Sequence, residues 1–435
     1  MANPPTTPPS PRARVPEFLR PEKQPRAIKI AVILAFLAVV ALSTWRVNRT
    51  LNRPPDYLPH TQGLADFHNG VYYPALAYRQ GQNPYSEAYA REYPIGRQLP
   101  LYSPGMFWLH YPFAVLPLPI ANVVYYLVSL GLVLALAYSA LAVCRLPCSV
   151  TNVLGLATLI LLSRPGHINL LLGQMTLPIV IGAIWSIELA RKRPWLAGLA
   201  FALTTVKPTF AVPIIWLMFC RRDYRAVVWS VLIGGGLAIA ALAPIVARDG
   251  LPAVIESLKK SQSLHENDPV VAAETTWTRI DTPALVGKLS PLKIAPAFDL
   301  LITAACLLAA GAAVFRISTL PQANGADSLS ALIIAAATLA CIYHSSYDAL
   351  LLVVPWIGAA FGRLRDHLPS RLLPVVWFLL TIPALNYLSA RSVTNALGVT
   401  GPLWTAITAL NSICILVTLI LAISIALSPR QTAAV

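Results

Sequence analysis

Asp66, His68, Tyr72 and Tyr73 fall within the stretch Leu64-Ala65-Asp66-Phe67-His68-Asn69-Gly70-Val71-Tyr72-Tyr73, which follows one apolar segment and precedes a long series of others. A carboxylate at the edge of a membrane has access to water and can take the proton of a hydroxyl as that hydroxyl attacks a lipid head group. The rival account of Asp66 is an ordinary solvated loop acid, so the case for chemistry rests on what else the chain brings to the same side.

Lys207 is the second residue of interest. Val206-Lys207-Pro208 separates two apolar arms, 195–206 and 208–220, with Arg191-Lys192-Arg193 before them and Arg221-Arg222 and Arg225 after them. Basic clusters on both sides predict that the two ends share the cytoplasmic face. Each arm is shorter than the ~20 residues of a full span, so the turn stops inside the membrane or at its outer edge. A lone lysine there costs roughly 2.5–3.5 kcal/mol on insertion scales unless it meets an anion, and a lipid phosphate is the plentiful one at that depth. Snorkelling of its long stem to the interface is the competing account. One Pro-kinked helix over 195–219 is the other geometry, and it would place Arg221 and Arg222 outside. The same topology brings Arg164, His167, Asn169 and Gln174 to the outer face, together with His344, Ser345, Ser346, Tyr347 and Asp348.

The elements that position these groups follow from composition. Hydrophobic residues make up 56% of the 435, charged residues 12%, and mean hydropathy is +0.63. Soluble chains carry about 25% charged residues, so the apolar surface here must face lipid. The runs are apolar on all sides without period-2 alternation, which selects helices over a barrel. The expected fold is all-α: a polytopic membrane protein of about twelve transmembrane or membrane-penetrating helices, with the net charge of +15 reflecting orientation and anionic lipid rather than nucleic acid.

Residues 1–27 read as a disordered, basic, Pro-rich cytoplasmic tail, and 28–427 as a single integral membrane domain that begins with a span from Ile28 to Trp45. A cleavable signal peptide ending near Ala41-x-Ser43 is the rival for that first segment. The first outer loop, 46–119, carries Asp66, and its tyrosines, among them Tyr72, Tyr85 and Tyr89, suit interfacial helices with hydroxyls toward the head groups. Pro104, Pro112 and Pro117 make the end of that loop a re-entrant or interfacial piece. Further runs follow at 120–143, 150–163, 174–190, 226–247, 296–316, 329–343, 349–362, 372–389 and 402–427, with 428–435 a cytoplasmic tail. The second outer loop, 248–295, holds Glu274 and Asp281, read as solvated acids, with assistance to catalysis or acceptor binding as the rival account.

No motif for other chemistry competes. Cys144 and Cys148 have no neighbouring Cys or His to complete a metal site, no cysteine pair reads as an extracellular disulfide, and Gly234 to Gly236 follow no strand that would make them a nucleotide loop. No metal and no cofactor is expected.

Asp66 with Tyr72-Tyr73, then Gly81-Gln82-Asn83-Pro84-Tyr85, then Tyr102-Ser103-Pro104 with its Pro-punctuated follow-on resembles the first outer loop of glycosyltransferase family 87. Gly173-Gln174, the stretch from Gly198 to Lys207-Pro208, and His344 with Tyr347-Asp348 are similar to that family's later motifs, in order and approximate spacing, so that the likeness covers about 60–365. Members are polyprenyl-phosphate-mannose-dependent α-mannosyltransferases of the GT-C superfamily. The resemblance implies a GT-C-like fold, Asp66 as catalytic base, and Lys207 and His344 at the donor phosphate; Tyr72 and Gln174, from its motifs, are read as donor-binding beside them, and Arg164, His167 and Asp348, brought to the same face by the topology, as weaker candidates. It implies inverting transfer of a hexose from a polyprenyl-phosphate sugar to a glycan or glycolipid acceptor. The setting is the outer side of the plasma membrane, amid membrane lipid, with both termini cytoplasmic. The competing class is a twelve-span secondary transporter or lipid flippase. The long polar first outer loop and the lack of a repeat between the two halves argue against it.

Overall fold

Proline and basic residues punctuate the apolar runs, and the helices begin and end at them. Pro194–Thr204 and Pro208–Cys220 each start on a proline, where the missing N–H costs nothing, and the second stops at Arg221-Arg222. Ser149 and Ser163 cap Val150–Leu162 and Arg164–Leu172 by accepting from the backbone N–H of Asn152 and Gly166. The computed structural model describes residues 15–51, 63–95, 102–266, 268, 270–290, 296–320 and 326–428. Among the described residues there is no strand, only an isolated antiparallel bridge between Arg279 and Ser345.

Helices occupy every run expected to enter the membrane, yet five are long and apolar enough to cross it: Arg26–Leu51, Leu118–Val143, Tyr224–Asp249, Ala297–Thr319 and Gly401–Leu427. A sixth crossing is possible by length if Val150–Leu162 and Arg164–Leu172, bent by 78° where they meet, act as one. The other runs form apolar helices of 10–17 residues. The protein is therefore an all-helical, polytopic membrane protein with five long candidate spans and a set of shorter helices packed among them. Leu118–Val143 lies against Val150–Leu162 and Thr176–Leu189, while Pro208–Cys220 lies against Pro296–Thr319 and Ala326–Cys341, which Gly401–Leu427 also packs on.

The 194–220 region is a hairpin. Arg191 Nε lies 3.2 Å from Asp223 Oδ1, Arg221 donates to the same carboxylate, and Arg221 Nη2 donates to the Ile187 carbonyl at 2.6 Å. The residues that enter and leave the hairpin thus touch, which excludes one continuous kinked helix. Lys207, extended at φ −115°, ψ 102°, forms its tip. Eleven residues of Pro194–Thr204 rise about 16 Å, so the tip sits well below one face of the bundle.

Three expectations need correction. Part of the N-terminal segment read as disordered is folded: Glu17–Leu19 and Pro21–Lys23 form short turns, and buried Gln24 donates to Asn152 Oδ1 at 2.8 Å, while Phe18 meets Phe361 edge-on. Residues 1–14 lie outside the described residues. Tyr85 and Tyr89 are each only 1% exposed, and Tyr72 is 5% exposed, so these phenols do not face head groups. Asp281 is fully buried rather than solvated. For Gln24, Tyr72, Tyr85 and Asp281 the reason is the same: a polar atom that finds an internal partner gains more from that fixed contact than a sequence window reveals, whereas Tyr89 is held by ring packing against Tyr93 at 5.2 Å.

Candidate active site

Asp66 begins a short helical turn that is docked on the far end of the bent pair. Leu64 adopts a left-handed conformation, φ 58°, and its N–H donates to the Leu171 carbonyl at 2.7 Å. Gly173, φ +70°, lets the two segments close: a Cβ there would lie 2.6 Å from Phe67 Cβ. Phe67 is fully buried and stacks on Tyr125 at 4.1 Å, whose hydroxyl donates to the Gly173 carbonyl at 3.1 Å. Gln174 follows directly, and its Nε2 donates to Asp66 Oδ2. The carboxylate is thereby held half-buried, with one oxygen oriented by an amide. The chain continues into a single π-turn over His68–Tyr72, a local widening common at functional sites. His68 Nε2 meets Asn122 Oδ1 at 2.8 Å, and burial lowers the imidazole's proton affinity while that hydrogen bond raises it.

The second group is centred on Asp348, which is fully buried. Its Oδ2 accepts from Lys207 Nζ at 2.6 Å, from His344 Nδ1 at 3.0 Å and from the Ser345 N–H at 3.0 Å, and Thr176 Oγ1 donates to Oδ1 at 3.2 Å. Lys207 is therefore not a lone cation, as its sequence context suggested; an internal carboxylate balances it. Its ammonium also lies over the rings of Phe210 and Tyr347, 5.3 and 5.2 Å from their centroids. His344 Nε2 faces the Thr209 carbonyl at 3.2 Å, so both ring nitrogens meet oxygen acceptors. The buried hydroxyls of Thr209 and Ser346 have no hydrogen-bond partner among the described residues, which leaves two donors beside the cations.

Tyr102 joins the two groups. Its phenol is raised well above the ordinary range, first by burial and then by the carboxylates of Asp66 and Asp348, so it stands in the field of both. Tyr85 Oη donates to the Tyr102 carbonyl at 2.8 Å, the Ser103 N–H donates to the Val206 carbonyl at 2.9 Å, and a Cβ at Gly70 would come within 3.3 Å of the Tyr102 ring. The first loop is in this way stitched both to the Asp66 turn and to the hairpin tip.

The segment over 270–290 fixes the other side. Arg279 makes a two-pronged contact with Asp281 at 2.9 and 2.7 Å; Asp281 also caps Thr282–Leu289 through the Ala284 N–H at 3.0 Å and accepts the His344 N–H at 3.2 Å. Burial pushes the Asp281 carboxyl up, but Arg279 and these N–H donors outweigh it and hold the group below its usual range.

The remaining candidates are placed differently. Tyr72 gives its hydroxyl to the Leu116 carbonyl at 2.9 Å, a packing contact. Arg164, 1% exposed, donates to the Asn386 carbonyl at 3.1 Å and to Ser389, bracing the 386–389 turn. His167 is half-buried near Tyr387. The structure brings Asp66 to Gln174, and Lys207 and His344 to Asp348; it does not join Tyr72, Arg164 or His167 to either group by a side-chain hydrogen bond. Thr176 and Thr209 carry no signal in the sequence, whereas His344 and Asp348, spaced four apart, carry that of a facing pair.

An all-helical membrane protein whose buried polar groups converge at one place carries a functional site rather than serving as a scaffold. The family model of glycosyltransferase family 87 matches residues 101–355, more than half of the chain, and the chain belongs to that family. It is a membrane glycosyltransferase, and the matched stretch includes Gln174, Lys207, His344 and Asp348, while Asp66 precedes it. No curated protein and no solved structure matches the chain.

Proposed function

We propose that the chain transfers a hexose, mannose in the reading we favour, from a polyprenyl-phosphate sugar to a glycan or glycolipid acceptor at the outer face of the plasma membrane, with both termini inside. The observation that carries this reading is that the Tyr102-Ser103 segment touches both the Asp66 turn, where a Cβ at Gly70 would come within 3.3 Å of the Tyr102 ring, and the hairpin tip, where the Ser103 N–H donates to the Val206 carbonyl at 2.9 Å, so that a half-exposed carboxylate, Asp66, and a fixed ammonium, Lys207, are carried by one connected unit. Asp66 takes the proton of the acceptor hydroxyl as its oxygen attacks the anomeric carbon. The bond from that carbon to the phosphate oxygen breaks, and the phosphate leaves with the electron pair. One displacement inverts the sugar.

Asp348, itself braced by His344, holds Lys207 in place at the donor phosphate before substrate arrives, which is how a preorganised donor stabilises developing charge. An ammonium has three N–H donors, and Asp348 takes one of Lys207's. The unspent hydroxyls of Thr209 and Ser346 suit the remaining phosphate oxygens. Incubating the purified protein with labelled polyprenyl-phosphate mannose and a lipid-linked glycan, beside Asp66→Asn, tests the reading. Transfer of label by the native chain and not by the variant is the expected result, and equal transfer by both removes Asp66 from the reaction.

A further inference from the structure

A cavity lies at the end of the bundle away from Asp66. Val143 lines it, whereas Tyr125, on the same helix, packs against Phe67 beside Asp66. Eighteen residues of helix separate them, about 27 Å, close to the thickness of a hydrocarbon core. The two sites therefore face opposite leaflets.

Five cations surround this cavity: Arg145, Arg191, Lys192, Arg221 and Arg363. Acids answer three of them. Arg191 pairs with Asp223 and Asp327 at 3.2 Å each, Arg221 pairs with Asp223, and Lys192 Nζ lies 3.1 Å from Glu188. Among the described residues no acid lies within ion-pair distance of Arg145 or Arg363. Burial first, and then Arg145, hold the Arg363 guanidinium below its ordinary range, against the pull of the more distant Glu188, Asp366 and Asp327. Arg145 sits at φ 57°, where it closes the C-terminus of Leu118–Val143: its N–H donates to the Ala142 carbonyl at 3.0 Å and the Leu146 N–H to the Leu141 carbonyl at 2.9 Å. Below the charged rim the walls are apolar, with Ile184, Ile187, Ala331, Ala335, Leu351 and Val354.

A cationic rim over an apolar wall between membrane helices fits a phosphate whose other end is hydrocarbon. We propose that this cavity binds the head group of an anionic phospholipid from the leaflet opposite Asp66, with Arg145 and Arg363 on the phosphate. The binding is independent of the sugar-transfer reaction. Phosphate chemistry alone would also admit a soluble phosphate ester, and the experiment separates the two sources.

The full chain in detergent is titrated with phosphatidylglycerol, with phosphatidylcholine and with glycerol 1-phosphate, following bound lipid by native mass spectrometry and melting temperature. The native chain should bind phosphatidylglycerol and melt higher with it, and respond to neither of the others. Arg145→Gly combined with Arg363→Gln should weaken phosphatidylglycerol binding by about 30-fold, on the scale of two basic side chains at an anionic surface. Glycine suits the helix-closing backbone at position 145, so a fold defect does not account for that loss, and Arg363→Lys alone should retain binding. Equal phosphatidylglycerol binding by the native and double-variant chains overturns the proposal. So does a response to glycerol 1-phosphate as strong as that to the lipid.

Discussion

Lys207 Nζ lies 2.6 Å from Asp348 Oδ2, across 141 residues of sequence, and the carboxylate that receives it is fully buried. This pair ties the hairpin tip to the segment that carries His344. Removing one partner of such a pair leaves an uncompensated buried charge, which costs about 3–5 kcal/mol. Lys207→Met should therefore lower the melting temperature as well as donor affinity. The double change Lys207→Met with Asp348→Asn should recover much of the stability and none of the transfer. Unaltered melting of the single variant would show that Asp348 is not the lysine's main partner in solution. A lone lysine, as the local sequence suggests, predicts an unharmed protein, and the pairing reverses that expectation.

Asp66→Asn keeps the size of the side chain and removes the proton acceptor. Transfer should fall by roughly 10²–10⁴-fold, the usual contribution of a general base, with melting temperature and donor affinity near native. Full turnover by the Asn variant would assign the base elsewhere.

Gln174 acts through Asp66, so its replacement should alter the acid rather than delete it. Gln174→Glu sets a second carboxyl beside Asp66, and like charges disfavour ionisation. The acidic limb of the pH profile for kcat should then move upward, while Gln174→Leu lowers kcat without that displacement. A merely structural glutamine predicts unchanged profiles in both variants.

Much of this architecture is legible in the chain. The apolar runs end at Pro, Arg and Lys, and the helices follow those marks, as at Pro208–Cys220 before Arg221. The number of crossings is not legible in the same way. Runs such as Pro194–Thr204 and Thr176–Leu189 are apolar enough for lipid and too short to cross it, and only tertiary contact shows where they stop. Asp66, Gln174, Lys207 and His344 are recognisable by residue type at the ends of apolar runs. Their partners are not, because Lys207 with Asp348, Asp66 with Gln174 and Asp281 with the His344 N–H are joined across long sequence separations. Tyr85 and Tyr102 illustrate the limit: loop tyrosines suit an interface, yet the Tyr85 hydroxyl is spent on the Tyr102 carbonyl.

Lys288 gives a test by pH. It is half-buried and donates to the Thr408 carbonyl at 3.0 Å and the Arg279 carbonyl at 3.4 Å. Burial pulls it down to about 8; Asp281 opposes that shift, and Arg279 and Arg164 add to it. In the unfolded chain the group titrates at its ordinary 10.5, so between these values the unfolded state binds more protons and stability rises with pH. The penalty of the buried charge is full below about 8 and gone above 10.5. Melting temperature should accordingly climb over that window in the native chain, and Lys288→Met should remove this part of the rise. An identical slope in both proteins would place Lys288 in water.

Sidedness can be read by labelling intact cells with an impermeant thiol reagent, in a background without native cysteines. Cysteine replacing Arg91, whose side chain is 78% exposed in the first loop, should react, and cysteine replacing Lys192, 63% exposed, should not. Labelling at Lys192 would turn the protein over.

The short helices also act on the membrane that holds them. Pro194–Thr204, Pro208–Cys220 and Leu373–Leu385 rise about 16–20 Å, against roughly 30 Å of hydrocarbon. They turn apolar side chains outward, among them Trp195, Leu199, Val212 and Phe378. Lipid beside these faces has to thin to match them. If the proposed donor phosphate goes to Lys207, the depression this makes in the bilayer surface shortens its descent, so the rate of transfer should depend on acyl-chain length in the host bilayer, with thinner membranes favouring entry.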